Sequence, residues 1–512
     1  MPRQAITITL TRLGVLTILA STLLASCEGN IHGSDPARSA GAIGLELSPC
    51  RLRAPGLPVR VPAECGALEV PEDRAAPQSR TLALRIAVVP AVSRAPAPDP
   101  LVFLTGGPGQ AATESYVPLA TVFRRFNEDR DIVLVDQRGT GGSNALRCPR
   151  PDEAENAGEL WLFDEEQTRD WVGRCLTELE SHADPRFYST SVAVRDLDEV
   201  RAALGYQTVN LYGLSYGTRV ALEYLRRHPE RVRSVVLDGV VPPTEVLGLN
   251  VARDAQRALD LLEERCRNDP LCDSEFPSLE NSANEVISRL EQPTTVSLRH
   301  PRDGSDTQLM LHSSMAAFAI RLLSYSAETA ALVPVLLREA RDGDLSLLAA
   351  QFLLTSSNLD ETMSEAMGYT VICSEDYPRF DASEIEQQHR GTYLGSVQID
   401  NLERLCPSWP RGPVNDDFHD PVVSSVPTLL LSGEADPVTP PSNADTVAES
   451  LSNAHHLVVG GHGHMVVHRG CIPNLVEAFL EQGSLDPVRD RDACVDAIAP
   501  SPFFLGFSGP TP

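Results

Sequence analysis

The sequence contains no lysine: all 43 basic residues among its 512 are arginine. This excludes a Ser-Lys dyad, a Schiff-base lysine and a phosphate-binding P-loop lysine, since each needs an ammonium nitrogen and arginine stays protonated. Positive charge is scarce altogether. Against 70 acidic residues the formal net charge is −27, which argues against nucleic acid and anionic membrane surfaces as partners because both need a cationic face. No C-x-x-C pair occurs, so zinc-ribbon chemistry has no ligand framework and no metal is expected. The N-terminal apolar stretch, Leu13–Leu24, is 12 residues long, short of the about 20 that a spanning helix requires. A hydrophobic content of 42% is ample for a buried core and excludes wholesale disorder.

Residues 1–26 read as a secretory signal. Arg3 and Arg12 are the only charges before Cys27, and Leu24-Ala25-Ser26-Cys27 resembles the lipobox of bacterial lipoproteins, in which the cysteine is acylated and becomes the new N-terminus. The expectation is an exported cell-envelope lipoprotein, held at a membrane only through its lipid; cleavage and release is the alternative. Residues 27–45 would be a tether of small and polar residues. The cysteine count is eleven, and an odd number in an exported chain asks for one unpaired member. Cys27 supplies it. The other ten can form disulfides in an oxidising compartment and fall into the neighbouring couples Cys50/Cys65, Cys148/Cys175, Cys266/Cys272, Cys373/Cys406 and Cys471/Cys494. Sequence does not fix their connectivity.

From residue 46 to 244, short continuous apolar runs ("PLVFLTGG", "DIVLVDQRG", "QTVNLYG", "VRSVVLDG") alternate with helical patterns. Buried strands alternating with helices predict a mainly parallel sheet covered on both faces. Residues 245–420 carry helical patterns and predict a mostly helical cap. The β/α alternation returns over 421–496, and 497–512 is a Pro/Gly-rich tail expected to pack poorly.

The stretch "VNLYGLSYGTRVAL" places Ser215 between Gly213 and Gly217, with a strand before it and a helix after it. An ordinary turn serine would fit as well. A strand-to-helix turn flanked by glycines, however, projects Oγ from the sheet beside the Tyr216 N–H and the positive end of a helix. A serine hydroxyl needs a base. "LSGEADPVTP" places Asp436 at the end of one strand, with Glu434 as a competing acid nearer the strand; "VVGGHGHMVVH" offers His462, His464 and His468 at the end of the next. The order Ser, Asp, His, each leaving the C-terminal end of a strand, is that of the α/β-hydrolases. A metal reading of the three histidines lacks an acid, since position 466 is Val466. "TGGPG" is the loop expected to lend an oxyanion-hole N–H from Gly106 or Gly107, with Tyr216 giving the other.

Together "GGPG", "VDQRGTGGS", "YGLSYGT", "VICSEDYP", "SGEADPVTP" and "GHGH…RGC" make the chain resemble the secreted branch of the prolyl aminopeptidase and tripeptidyl aminopeptidase group of α/β-hydrolases. The resemblance covers Cys65 to Cys494. It implies an α/β-hydrolase core with a helical cap, Ser215, Asp436 and His464 as the triad, no cofactor, and peptide N-termini as substrates. It favours His464 among the histidines. Two positions depart from the cytosolic prolyl enzymes: Thr105 stands where they carry histidine before GGPG, and Tyr216 where they carry tryptophan after the serine. Both move the likeness toward the tripeptidyl branch. Arg138 in "DQRG" is expected to brace the oxyanion loop from beneath. An aminopeptidase must also hold a substrate ammonium, and Glu375 and Asp376 in "CSEDYP" are the candidates, the alternative being a solvated acidic turn. The expected function is an exported serine aminopeptidase acting through an acyl-enzyme. Its rivals are an esterase or other small-molecule hydrolase on the same triad, and a non-catalytic surface-binding lipoprotein.

Overall fold

The apolar runs form the strands of one sheet because β-branched and leucine residues fill both of its faces. A computed structural model describes residues 45–76, 78–148 and 163–506; Cys27, the signal segment and the tether to residue 44 lie outside the described residues. The strands are β1 (Ser48–Leu52), β2 (Val61–Pro71), β3 (Thr81–Val89), β4 (Leu101–Leu104), β5 (Ile132–Val135), β6 (Val209–Leu214), β7 (Val232–Asp238), β8 (Thr294–Arg299), β9 (Asp306–Leu311), β10 (Thr428–Gly433) and β11 (Ala454–Val459). Nine of them make a sheet in the order β1-β2-β3-β5-β4-β6-β7-β10-β11. From β5 to β11 every pairing is parallel, while β1, β2 and β3 join as an antiparallel margin.

Alternation along the central strands sends neighbours to opposite faces. Val102, Val133, Leu211 and Leu430 face one apolar core, and Phe103, Leu134, Tyr212 and Leu429 the other. Helices Glu165–Glu180 and Tyr216–Arg227 cover the first face; helix Ile472–Gln482 covers the second. This is the α/β-hydrolase fold with a mostly parallel sheet and helical segments. It sets the C-terminal ends of β6, β7, β10 and β11 side by side.

The stretch between β7 and β10 departs from a uniform cap in two ways. Its first part has an apolar core of its own, built from residues such as Leu259, Phe318, Leu337 and Phe352, and this part includes the hairpin β8–β9. Residues such as Met367, Val371, Leu402 and Trp409 instead join the core beneath the main sheet, where Tyr369 lies against both Trp171 and Trp409, at 5.8 Å in each case. The expectation of a loose tail also fails at Phe503. That ring is buried in the cap's core with the Arg265 guanidinium 4.1 Å from its centroid. Composition signals a break in secondary structure and says nothing about a single aromatic ring that finds a pocket.

Five disulfides join Cys50 to Cys65, Cys148 to Cys175, Cys266 to Cys272, Cys373 to Cys406 and Cys471 to Cys494. Each links the two members of a sequence-neighbouring couple.

Candidate active site

Ser215 occupies the turn between β6 and helix Tyr216–Arg227 with φ 53° and ψ −124°. A non-glycine residue in that region costs about 1–3 kcal/mol and persists only where its surroundings hold it. Two bonds do so here: the Ser215 amide donates to the Asp238 carbonyl at 2.9 Å, and the Ser215 carbonyl accepts from the Thr218 hydroxyl at 2.6 Å. The serine is half-buried. Because Tyr216 is the first residue of its helix, its N–H is among those without an intrahelical acceptor.

His464 and Asp436 meet beyond the ends of β11 and β10. His464 Nδ1 donates to Asp436 Oδ2 at 2.7 Å. Asp436 also accepts from the Val438 and Thr439 amides (2.8 and 2.9 Å) and from the Thr439 hydroxyl (2.8 Å). Burial pushes the Asp436 carboxyl up, but the neighbouring imidazole and these hydrogen bonds outweigh it and leave the group below the usual carboxylate range. Burial likewise pushes His464 down, and the Asp436 charge and hydrogen bond reverse this to a net rise. With Nδ1 committed to the carboxylate, Nε2 is the free acceptor, the tautomer a general base needs. The ring stands over Gly239, where a Cβ would lie 2.9 Å from Cε1; only glycine permits that approach. Gly239 follows Asp238, the residue that holds the Ser215 amide, so nucleophile and base flank the same turn.

The competing residues lie elsewhere. His462 Nδ1 is bonded to the Gly460 carbonyl at 2.9 Å. His468 is pushed down to about 4, first by burial and then by Arg469. Glu434 is exposed and accepts from the Gly461 amide at 2.8 Å. Among the described residues no group of three or more His, Cys, Asp or Glu could hold a metal ion.

In the loop Thr105–Gly109, Gly106 is the residue against the serine: a Cβ on it would lie 3.0 Å from Ser215 Cβ. Gly107 faces Gly109, Gln110 and Met363 instead. The insertion supports both halves of the site. Ser364 donates its amide to the Gly109 carbonyl at 2.9 Å, and His464 donates its amide to the Tyr325 carbonyl at 2.8 Å. The Tyr325 ring packs edge-on against the imidazole at 5.3 Å.

Glu375 and Asp376 do not form a solvated turn; both are buried. Glu375 accepts from the Thr190 amide (2.6 Å) and hydroxyl (2.9 Å), and Thr190 Oγ1 lies 2.6 Å from the Tyr216 hydroxyl. Burial first and the Asp376 charge second push the Glu375 carboxyl up to about 8. Asp376 already has a counter-ion. Both its oxygens take the Arg219 Nη1 at 3.0 Å, and Oδ1 also accepts the Leu247 amide at 3.0 Å. Arg138 is a brace, but not beneath the oxyanion loop. It forks onto Asp196 (2.6 and 2.8 Å) and donates to the Glu72 and Phe187 carbonyls, tying its turn to the exit of β2 and helix Thr190–Ala203. Thr439, Tyr325, Thr190 and Asp238 were missed by sequence reasoning. Only Thr439 left a local signal, an Asp-x-x-Thr spacing that suits an Asx turn.

With this geometry in place, the comparisons with known proteins agree in kind. Residues 99–306 match the alpha/beta hydrolase fold family, and residues 391–494 match the family described as TAP-like protein. The chain is an α/β-hydrolase with a TAP-like C-terminal segment. It is 26% identical over 475 residues to serine protease Hip1 of Mycobacterium tuberculosis, covering 86% of this chain and 90% of that protein. It is 29% identical over 196 residues to the tripeptidyl aminopeptidase of Streptomyces coelicolor, 36% of each chain. It is 30% identical over 161 residues to the proline iminopeptidase of Neisseria meningitidis serogroup B, 31% of this chain and 38% of that one. It is a serine hydrolase of the TAP-like family.

Proposed function

We propose that the protein is an exported, lipid-anchored serine aminopeptidase that releases N-terminal residues, of proline or tripeptide type, from peptides. The observation that carries the reading is the convergence of the Ser215 turn and the His464–Asp436 pair on the turn at Asp238–Gly239. Ser215 attacks the scissile carbonyl while His464 Nε2 takes the hydroxyl proton, and Asp436 holds the imidazole and stabilises its charge. The oxyanion is received by the Tyr216 N–H and one from Gly106 or Gly107, of which Gly106 is in contact with the serine. His464 then protonates the leaving amine, and water resolves the acyl-enzyme by the reverse path.

Recognition of a free amine is supported by an excess of buried acid beside the site. Glu245, Asp254, Glu375 and Asp376 share the region with Arg219 and Arg253. Asp376 is neutralised by Arg219 and Asp254 is paired with Arg253; of the other two, Glu245 is half-buried and Glu375 fully buried, and Glu375 is the carboxylate that an arriving ammonium would ionise. Export is supported by five disulfides, which persist in oxidising compartments; the acylated Cys27 rests on the lipobox alone. The test compares a free-amine tripeptidyl amide, its N-acetylated form and a p-nitrophenyl ester. The reading requires that acetylation cost at least about 10-fold in kcat/KM. Equal cleavage of both peptides, or turnover of the ester alone, would replace it with a general hydrolase.

A further inference from the structure

Arg321 lies on helix Ser313–Leu323 and is only 8% exposed. It pairs with no carboxylate among the described residues, and its Nε has no hydrogen-bond partner. Its guanidinium rests 5.6 Å from the centroid of the Tyr325 ring, the ring that packs on His464. A buried arginine is costly unless an anion or a set of carbonyls answers it.

Two hydroxyls nearby are in the same state. Ser314, seven residues earlier on the same helix face, is 7% exposed, Tyr393 is 5% exposed, and neither hydroxyl has a partner. Ser314 and Arg321 line one small cavity together with Phe318, Leu394 and Gly395, and the last two directly follow Tyr393. Tyr393 is also within electrostatic reach of Arg321, Tyr325 and the Asp260 carboxylate. Three buried groups able to donate therefore gather here; the Tyr325 hydroxyl is the hydrogen-bond partner the guanidinium has, and no carboxylate among the described residues lies within ion-pair distance of it. The space holds about 20 Å³, about the room of one water, so a single carboxylate oxygen fits where a phosphate with its three oxygens does not.

We propose that Arg321, with Ser314 and Tyr393, forms a subsite for a substrate carboxylate. The position gives it a use in the reaction. Contacts of 5.6 and 5.3 Å link the guanidinium to the His464 ring through Tyr325, so the two are no farther apart than about three extended residues reach. A carboxylate bound there would sit two or three residues from the scissile carbonyl, so the preferred substrates are short peptides ending in a free acid, or peptides with an acidic side chain at that distance. This rests on the aminopeptidase reading and names its substrate class.

The experiment measures kcat/KM for matched pairs: a short free-amine peptide as C-terminal acid and as amide, the same peptide amide with Glu and with Gln, and a p-nitrophenyl ester with and without a terminal carboxylate. The first two pairs distinguish the two sources of the carboxylate. Wild type should favour the carboxylate member of one pair by about 10–150-fold, and Arg321→Leu should bring that ratio close to 1. If Arg321→Leu does not fold, Tyr393→Phe and Ser314→Ala, which remove only a hydroxyl each, must lower the ratio several-fold. A wild-type ratio near 1 in every pair overturns the subsite, as does a ratio that survives these substitutions. The ester pair separates the two claims: turnover of the esters alone, with the carboxylate preference retained, defeats the aminopeptidase reading and leaves the subsite standing.

Discussion

Glu375→Gln separates the charge of this residue from its shape. The wild-type side chain is buried and hydrogen-bonded twice to Thr190, and its carboxyl is pushed up from 4.5 to about 8. In the empty enzyme at neutral pH the group is therefore protonated. A substrate ammonium beside it would displace that proton and gain a desolvated counter-ion. Glutamine keeps the volume and can satisfy Thr190, but it cannot ionise. A hydrogen bond to a charged group contributes about 1.5–3 kcal/mol, so kcat/KM on a free-amine peptide should fall about 10–150-fold, with a smaller fall on the N-acetylated peptide. The same substitution has a signature in stability. Between pH 4.5 and about 8 the folded protein holds a proton at Glu375 that the unfolded chain has released, so wild type loses stability as pH rises through that window. The variant lacks this loss. Urea unfolding at pH 5 and pH 9 should show Glu375→Gln gaining on wild type at the higher pH, by an amount on the order of a few kcal/mol. Full activity on the free-amine peptide would refute the ammonium role, and a stability difference independent of pH would refute the raised carboxyl.

Ser215→Ala, Asp436→Asn and His464→Ala should each lower kcat by roughly 10³–10⁶ while circular dichroism stays native; a dead His462→Ala beside an active His464→Ala would reverse the assignment of the base. The kcat/KM profile should rise with pH through an apparent pKa above the ordinary histidine value, because Asp436 raises His464 and only the neutral imidazole accepts the serine proton; a limb below the ordinary value would contradict this. Asp376→Asn should destabilise by about 3–5 kcal/mol in chemical unfolding, since it strips the counter-ion from buried Arg219. Cys27→Ser should release the protein from membranes, and mass spectrometry of the wild type should find a diacylglyceryl cysteine at the mature N-terminus.

The sheet and the Ser215 turn were legible because their signals are local. A buried strand is a run of apolar residues, and the strand–Gly-x-Ser-x-Gly–helix pattern lies within one window. Asp436 was singled out by its place at the end of such a run, where its carboxylate accepts from His464 Nδ1. What escaped depends on distant partners. Arg219 and Asp376 are 157 residues apart, and nothing within "CSEDYP" distinguishes a buried ion pair from a solvated turn. Tyr325 supports His464 through its backbone carbonyl, which any residue could supply, so its identity carried no signal. Arg138 was rightly read as a brace, but its partners Glu72, Phe187 and Asp196 lie on three separate segments. The hairpin β8–β9 was passed over because its alternation sits among long helical patterns.

The most direct test of the account is reaction of the intact protein with a fluorophosphonate, followed by peptide mapping of the adduct. The account predicts one equivalent of label on Ser215, lost in Ser215→Ala and strongly slowed in His464→Ala. A folded wild type that takes no label, or that takes it on another serine, would contradict the claim that Ser215 is the nucleophile.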